Sequence, residues 1–307
     1  MTILVTGASG FMGSNVCRRL SSAGHHVIGI SRSGAWSCPR ESQIGHPLGS
    51  AKIDLRDPFS LAKSVTNRPD VVIHLAAVLP KTFTGSDATD SGKANLRIDE
   101  NVLLASREFE AAVVYASSTS VYGFGTGEIK TESSPPYPSG PYAAGKLASE
   151  RIGKEILQNA GLPFAVLRIS APYGSDQCAE TVMKSFVERA LKGLPLLYHG
   201  TGSRRQDFIH ITDVTEALAK AALLKKSGTY NICYGESVSM KELASLVTRC
   251  VPGCASSISP SGQEDPQEGV TAAYSIESAK TALEWQPRVS LKYGIGAWVQ
   301  TRLTGKA

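Results

Sequence analysis

The segment Thr6-Gly7-Ala8-Ser9-Gly10-Phe11-Met12-Gly13 restricts the fold more than any other part of the chain. It follows the apolar run Ile3-Leu4-Val5 and leads into Ser14–Ala23, a stretch able to form a helix. Glycines spaced across a strand-to-helix junction have separate uses. Gly7 permits a tight turn, Gly10 lets a pyrophosphate approach the backbone, and Gly13 lets the helix pack close to a sheet. The helix N-terminus adds free N–H donors and a partial positive charge beside Phe11 and Met12. A turn of this kind is expected to hold a dinucleotide.

The rest of the first 170 residues repeats the strand-to-helix step. Apolar runs at Ile3–Val5, Val27–Ile30, Val71–Leu75, Val113–Ala116 and Phe164–Ile169 are rich in Val and Ile. Most are apolar on consecutive residues, the mark of parallel strands buried on both faces. Helical stretches at Ser14–Ala23, Phe59–Thr66, Lys93–Glu110 and Ala143–Gln158 alternate with them. The expected fold is α/β, a Rossmann-like doubly wound parallel sheet with a smaller C-terminal α/β substrate lobe. The dinucleotide-binding domain is expected over 1–169 and 207–234, and the lobe over 170–206 and 235–307. Helices are expected at Thr212–Leu224, Met240–Cys250, Ile276–Leu283 and Tyr293–Leu303, and a short strand at Tyr230–Cys233.

Composition narrows the partners. With Lys+Arg 32 against Asp+Glu 27, the net charge is only +5, and the basic residues are scattered. That argues against a nucleic-acid partner. Six cysteines are spread along the chain without a C-x-x-C pair, and Cys250 and Cys254, four apart, have no further ligand at zinc spacing. They read as reduced thiols, and no metal site is expected. No apolar run approaches a membrane span, and the N-terminus lacks the basic region of a signal peptide, so a cytoplasmic location is expected.

The end of the second strand bears on the choice of dinucleotide. A carboxylate there would hold the ribose 2′-OH of NAD. Here the strand runs into Ser31-Arg32-Ser33. Arg32 could pair a 2′-phosphate, with Ser31 and Ser33 adding hydrogen bonds, so NADP is slightly favoured over NAD.

Pro141-Tyr142-Ala143-Ala144-Gly145-Lys146 contains Tyr-x-x-x-Lys, which places Tyr142 and Lys146 on one helix face. A free phenol, with a pKa near ~10, is a poor base at neutral pH. A neighbouring ammonium and a positive nicotinamide ring favour phenolate, which suits Tyr142 to proton transfer with a hydroxyl. Upstream lies Tyr115-Ala116-Ser117-Ser118-Thr119-Ser120-Val121-Tyr122-Gly123. Neither Tyr115 nor Tyr122 has a Lys four residues on.

Together these motifs resemble the extended short-chain dehydrogenase/reductases, the nucleotide-sugar epimerases and dehydratases. The resemblance implies that Ser118 stands in the place of the catalytic Ser/Thr, beside Tyr142 and Lys146. It also implies that Thr119 and Ser120 line the sugar pocket. Asp54-Leu55 resembles the pair that contacts adenine. His74-Leu75-Ala76-Ala77 ends its strand in the family manner, with Leu75, Ala76 and Ala77 against the cofactor and His74 packed in the strand. Asn95 matches a family Asn on the following helix. Arg205-Gln206-Asp207-Phe208-Ile209-His210-Ile211-Thr212-Asp213 resembles the family's Arg-Asp-Phe-x-x-Val-x-Asp segment, which makes Arg204 or Arg205 the candidate clamp for a substrate diphosphate. Trp285-Gln286-Pro287 matches the usual C-terminal Trp-x-Pro, so the resemblance runs almost end to end. A homodimer through the helices near Lys93–Glu110 and Ala143–Gln158 is likewise implied.

Departures from the pattern carry information. Dehydratases of this branch have an acidic pair after the catalytic Thr, and decarboxylases a Glu; Thr119 and Ser120 hold neither. Ser170 replaces the Asn that often follows the strand ending at Ile169, and the late Arg-x-x-Asp-Pro pattern reads Gly262-Gln263-Glu264-Asp265-Pro266. The Asp usual before the next helix is Ser275. The expected activity is an NAD(P)-dependent nucleotide-sugar epimerase that oxidises and re-reduces one sugar carbon, with C4 the expected position. The alternative is an NADPH-dependent ketoreductase on a keto-sugar or another small carbonyl compound. A non-catalytic dinucleotide sensor fits less well, because both Tyr142 and Lys146 are kept.

Overall fold

Seven strands, all paired in parallel, form the main sheet of the computed structural model, which describes residues 1–32, 49–80, 85–125 and 127–305. In chain order the large half runs β1 (Thr2–Thr6), α1 (Phe11–Ser22), β2 (His26–Ser31), β3 (Gly49–Lys52), α2 (Ser60–Ser64), β4 (Val71–His74), α3 (Gly85–Glu108), β5 (Ala112–Ser118), α4 (Pro141–Gln158) and β6 (Phe164–Ile169). A single 3-10 turn, Thr119–Tyr122, follows β5. Then come β7 (Ala171–Tyr173), α5 (Val182–Leu191), β8 (Leu196–Tyr198), β9 (Arg205–His210), α6 (Ile211–Leu224), β10 (Gly228–Ile232), β11 (Ser237–Ser239), α7 (Met240–Cys250), β12 (Ile258–Pro260), α8 (Glu277–Ala282) and α9 (Leu291–Thr304). The sheet order is β10-β6-β5-β4-β1-β2-β3, doubly wound as expected.

Consecutive apolar residues in the central strands feed two cores. Ile3, Val5, Val71, Ile73, Val114 and Leu167 face one layer with Val16 and Leu20 of α1 and Val214 and Leu218 of α6. Leu4, Val72, Val113 and Val166 face the other with Leu61 of α2, Val102 and Leu103 of α3 and Leu157 of α4. Because successive side chains point to opposite faces, a strand covered on both sides has no polar position left. Each such buried aliphatic residue stabilises the fold by roughly 1.5–3 kcal/mol.

The helix expected over Lys93–Glu110 begins earlier, at Gly85. Gly85–Gly92 has no apolar periodicity; packing carries the helix back instead. Ala88 and Ser91 are buried, and a Cβ on Gly92 would come 2.9 Å from the Pro141 carbonyl oxygen. The N-terminus of α4 is thereby pressed against α3.

The lobe has its own core, built on Tyr173, Phe186, Leu243, Trp298 and Val299. It holds a three-stranded sheet, β11-β9-β7, and the pair β12-β8. Its return to the large half is fastened by Asp213, whose carboxylate accepts from the Arg288 and Val289 amides at 3.0 Å each, while Trp285 Nε1 donates to the Asp213 carbonyl. Ala279, Leu283 and Trp285 then pack into the first core. Among the described residues no disulfide forms, no cluster fit for a metal occurs, and no helix is long and apolar enough to cross a membrane. Ser33 and Cys38 lie outside the described residues.

Candidate functional site

The candidate site lies at the carboxyl ends of β1, β2, β4, β5 and β6, where the chain leaves the sheet. Gly7 has φ +68°, and a Cβ there would meet the Ala76 nitrogen at 2.8 Å. A Cβ on Gly13 would fall 2.1 Å from the Gly7 carbonyl oxygen. These two glycines are demanded by the chain's own backbone. Gly10 is different: it is exposed, and among the described residues its Cβ would meet only the Gly7 oxygen, at 3.1 Å. The N-terminus of α1, at Gly10, also has no side-chain cap and no acidic residue in its first turn. An uncapped helix start with an open glycine fits a pyrophosphate. Phe11 and Met12 stand half-buried in that first turn.

Ser31 is half-buried at the end of β2 and Arg32 is exposed beyond it. Nearby, Asp54 is gripped by Arg56, whose Nε lies 2.9 and 3.1 Å from the two carboxylate oxygens. Hydrogen bonds from Arg56, with a further contribution from the Arg32 charge, hold the Asp54 carboxyl down at about 2. Leu55 is buried beneath it. Arg32, Arg56 and Asp54 thus share one polar patch.

Below the glycine turn runs a buried polar chain that the sequence reading missed. Thr6 Oγ1 accepts from the Leu75 and Ala76 amides, both at 3.2 Å, and lies 2.6 Å from His74 Nδ1. His74 Nε2 is 2.9 Å from Asp99 Oδ1, and the Tyr115 hydroxyl donates to Asp99 Oδ2 at 2.5 Å. Lys146 Nζ stands 3.9 Å from Asp99 Oδ2 and 4.5 Å from the centre of the Tyr115 ring. Burial alone would raise the Asp99 carboxyl, but Lys146, His74 and Tyr115 together hold it well below the usual carboxylate range. Burial, reinforced by Asp99, pushes the Tyr115 phenol far up. Asn95 was expected at the cofactor, but its amide is spent on the loop after β4, accepting from the Val78 amide at 2.6 Å and donating to the Val78 carbonyl. It shapes the backbone beyond Ala76 and Ala77. One sequence signal could have found Asp99. It follows Asn95 by four residues on a helix face whose other members, Ile98, Val102 and Leu103, are apolar.

Ser118 ends β5 and caps the 3-10 turn, its Oγ accepting from the Ser120 amide at 3.2 Å. Tyr142, half-buried, and Lys146, buried, project from the first turns of α4, which packs on β5 and on the 3-10 turn. Tyr274 lies beside Thr119, and burial pushes its phenol up to about 12. Ser120 Oγ is buried and has no hydrogen-bond partner among the described residues.

On the lobe side three of the expected residues have partners within the chain. The Ser170 hydroxyl donates to Asp207 at 2.6 Å. Arg204 and Arg205 are also engaged. Arg204 donates to Asp265 at 2.8 Å and to Gln267 at 3.0 Å. Arg205 donates to the Ser237 carbonyl at 2.6 Å and pairs with Glu242 at 3.0 Å. Asp265 and Gln267 come from the segment where the late arginine of the family pattern is missing, so acceptors of the chain face the guanidinium. Aligning Asp207-Phe208 with the Arg-Asp-Phe pattern also puts Gln206 in place of its arginine.

The fold and the glycine turn place the molecule in the Rossmann-like, dinucleotide-binding class. More narrowly, residues 3–233 match the NAD dependent epimerase/dehydratase family, and the chain belongs to it. It is 30% identical to an uncharacterized UDP-glucose epimerase of Bacillus subtilis over 96% of each chain. Its backbone is similar to that of UDP-glucose 4-epimerase from Thermotoga maritima, solved with UDP-glucose, with a TM-score of 0.87 and 25% identity over the full length of both chains. It is also similar to UDP-glucuronic acid 4-epimerase from Bacillus cereus, solved with UDP-glucuronic acid and NAD, with a TM-score of 0.88 and 26% identity over 99% of each.

Proposed function

We propose that the chain is a nucleotide-sugar epimerase that oxidises and re-reduces one carbon of the sugar, C4 being the favoured position. The observation that carries this reading is the turn after β5. Ser118, Thr119 and Ser120 bring hydroxyls to the sugar side and no carboxylate that could expel water. Gly7, Gly10, Gly13, Leu75, Ala76 and Ala77 would hold the dinucleotide, with Asp54 and Leu55 on its adenine side. When bound, it supplies the acceptor and donor of hydride. Tyr142 takes the proton of the reacting hydroxyl and later returns it. Ser118 hydrogen-bonds the same oxygen, and Lys146 stands one turn from Tyr142 on the same helix face. Arg204 would clamp a diphosphate by exchanging Asp265 for it. Arg32 favours NADP over NAD through a 2′-phosphate. The two helices α3 and α4 offer the surface for a homodimer, and a cytoplasmic setting suits a nucleotide-linked substrate.

The ketoreductase reading uses the same residues in one direction, and Arg32 is the feature that favours it. Incubation with UDP-glucose, UDP-glucuronic acid or UDP-N-acetylglucosamine, followed by proton NMR, separates the two. Epimerisation gives a new anomeric signal without net change in absorbance at 340 nm. Loss of that absorbance with a carbonyl substrate, and no epimer from any of the three sugars, would replace the epimerase with the reductase.

A further inference from the structure

Lys146 is buried, and burying an ammonium is costly unless a counter-charge lies close. The charged and titratable groups around it come from four elements. Asp99 reaches it from α3, Tyr115 faces it from β5, His74 stands behind Asp99 on β4, and Tyr142 precedes it by one turn on α4. Glu150, one turn beyond on α4, is already taken by Arg168 at 2.6 Å and by Ser117 at 2.5 Å. Asp99 is therefore the carboxylate left for Lys146 among these neighbours.

The same carboxylate reaches the glycine turn. Thr6 Oγ1 accepts two amide protons, so its own proton goes to His74 Nδ1. The ring then carries its proton on Nε2 and donates it to Asp99. Thr6 directly precedes Gly7, whose α-carbon packs against the backbone of Ala76. Hydrogen bonds join Thr6, His74 and Asp99, and an ion pair at 3.9 Å carries the series on to Lys146, from the pyrophosphate turn to the lysine of the redox pair.

We propose that Asp99 is a positioning residue. Its carboxylate holds the Lys146 ammonium in place from one side and locks the His74–Thr6 chain under the glycine turn from the other, so that both ends of the dinucleotide site are registered by one buried group. This rests on the reading of Tyr142 and Lys146 as the redox pair.

The test is Asp99→Asn in the full chain, with NADH and NADPH as probes. Affinity for whichever binds the parent more tightly should fall about tenfold. The Lys146 Nζ resonance, assigned by its absence in Lys146→Met, should move in the nitrogen-15 spectrum of Asp99→Asn. In the Lys146→Met background, Asp99→Asn should cost clearly less, about threefold, because only the His74–Thr6 side is left to lose. A purely structural role would give the same loss in both backgrounds, and that result, or an unmoved lysine resonance, overturns the proposal. Should Asp99→Asn fail to fold, the parent decides. Its His74 should show the Nε2–H tautomer in a nitrogen-15 spectrum at pH 7.5, and an Nδ1–H ring contradicts the chain. The underlying reading fails separately, if Tyr142→Phe keeps full turnover.

Discussion

The cofactor side and the lobe side of the cleft each bury a carboxylate, and the two behave oppositely. Asp99 meets a cation, an imidazole and a phenol, and its carboxyl is held low. Asp207 is raised by burial, although the Ser170 hydroxyl and the Tyr234 and Gly235 amides donate to it, and Glu236 adds repulsion. Neutral donors satisfy a buried carboxylate without repaying its desolvation in full; a nearby cation does. The comparison teaches that the cofactor side is charged and preorganised. On the lobe side the floor carboxylate is held by neutral donors, and Arg204 and Arg205 are paired within the chain.

The sharpest way to break this contrast is at the reacting group. Tyr142→Phe should lower turnover about 10²–10⁴-fold while dinucleotide affinity is retained, as steady-state rates and fluorescence titration would show. A mutant losing affinity and rate together would mean that Tyr142 serves binding instead.

The glycine turn gives the next largest effect. Gly13→Ala puts a Cβ into the Gly7 carbonyl and should destabilise the fold by about 1–3 kcal/mol in urea unfolding. Gly10→Ala, in open space apart from one oxygen at 3.1 Å, should unfold like the parent yet bind the dinucleotide more weakly. Equal stability losses would contradict the assignment of Gly10 to a ligand.

The two carboxylates should also give opposite pH slopes. The folded value of Asp99 is depressed, so its contribution to stability is present above the unfolded value near ~3.9 and is lost as pH falls through the folded value. Asp207 is raised, so its contribution is present below ~3.9 and is lost as pH climbs through the folded value. Asp99→Asn should therefore cost more at pH 7 than at pH 3.5, and Asp207→Asn more at pH 3.5 than at pH 7. The Asp99 difference should stay below about 1 kcal/mol in urea unfolding curves, because only the unfolded carboxyl titrates in that window. Slopes of the same sign would dissolve the comparison.

The smallest effect belongs to the exposed Arg32. Arg32→Ala should cut the preference for NADPH over NADH about tenfold in binding titrations and leave stability within about 0.5 kcal/mol. No change in preference would remove Arg32 from the cofactor site.

Much of the cofactor side was legible in the residues. A strand buried on both faces is apolar throughout, and Gly7 and Gly13 sit where only hydrogen fits, so pattern and backbone demand coincide. Asp99 showed in the sequence only as an acidic residue on an apolar helix face; its role was hidden because its partners come from β4, β5 and α4, which only the closed sheet brings together. The lobe was harder for the same reason. β9, Arg205–His210, has only Phe208-Ile209 as an apolar pair, and its pairing with β7 and β11 supplies the order. The engagement of Arg204 depends on Asp265, sixty-one residues on.

The account's central claim, a redox pair that recycles its hydride within one site, is tested most directly by denaturing the purified protein and identifying the nucleotide it releases. Near-stoichiometric dinucleotide held through purification is the predicted result, and NADP in that fraction would also support Arg32. An empty protein that instead oxidises added NADPH stoichiometrically with a carbonyl compound would contradict the claim.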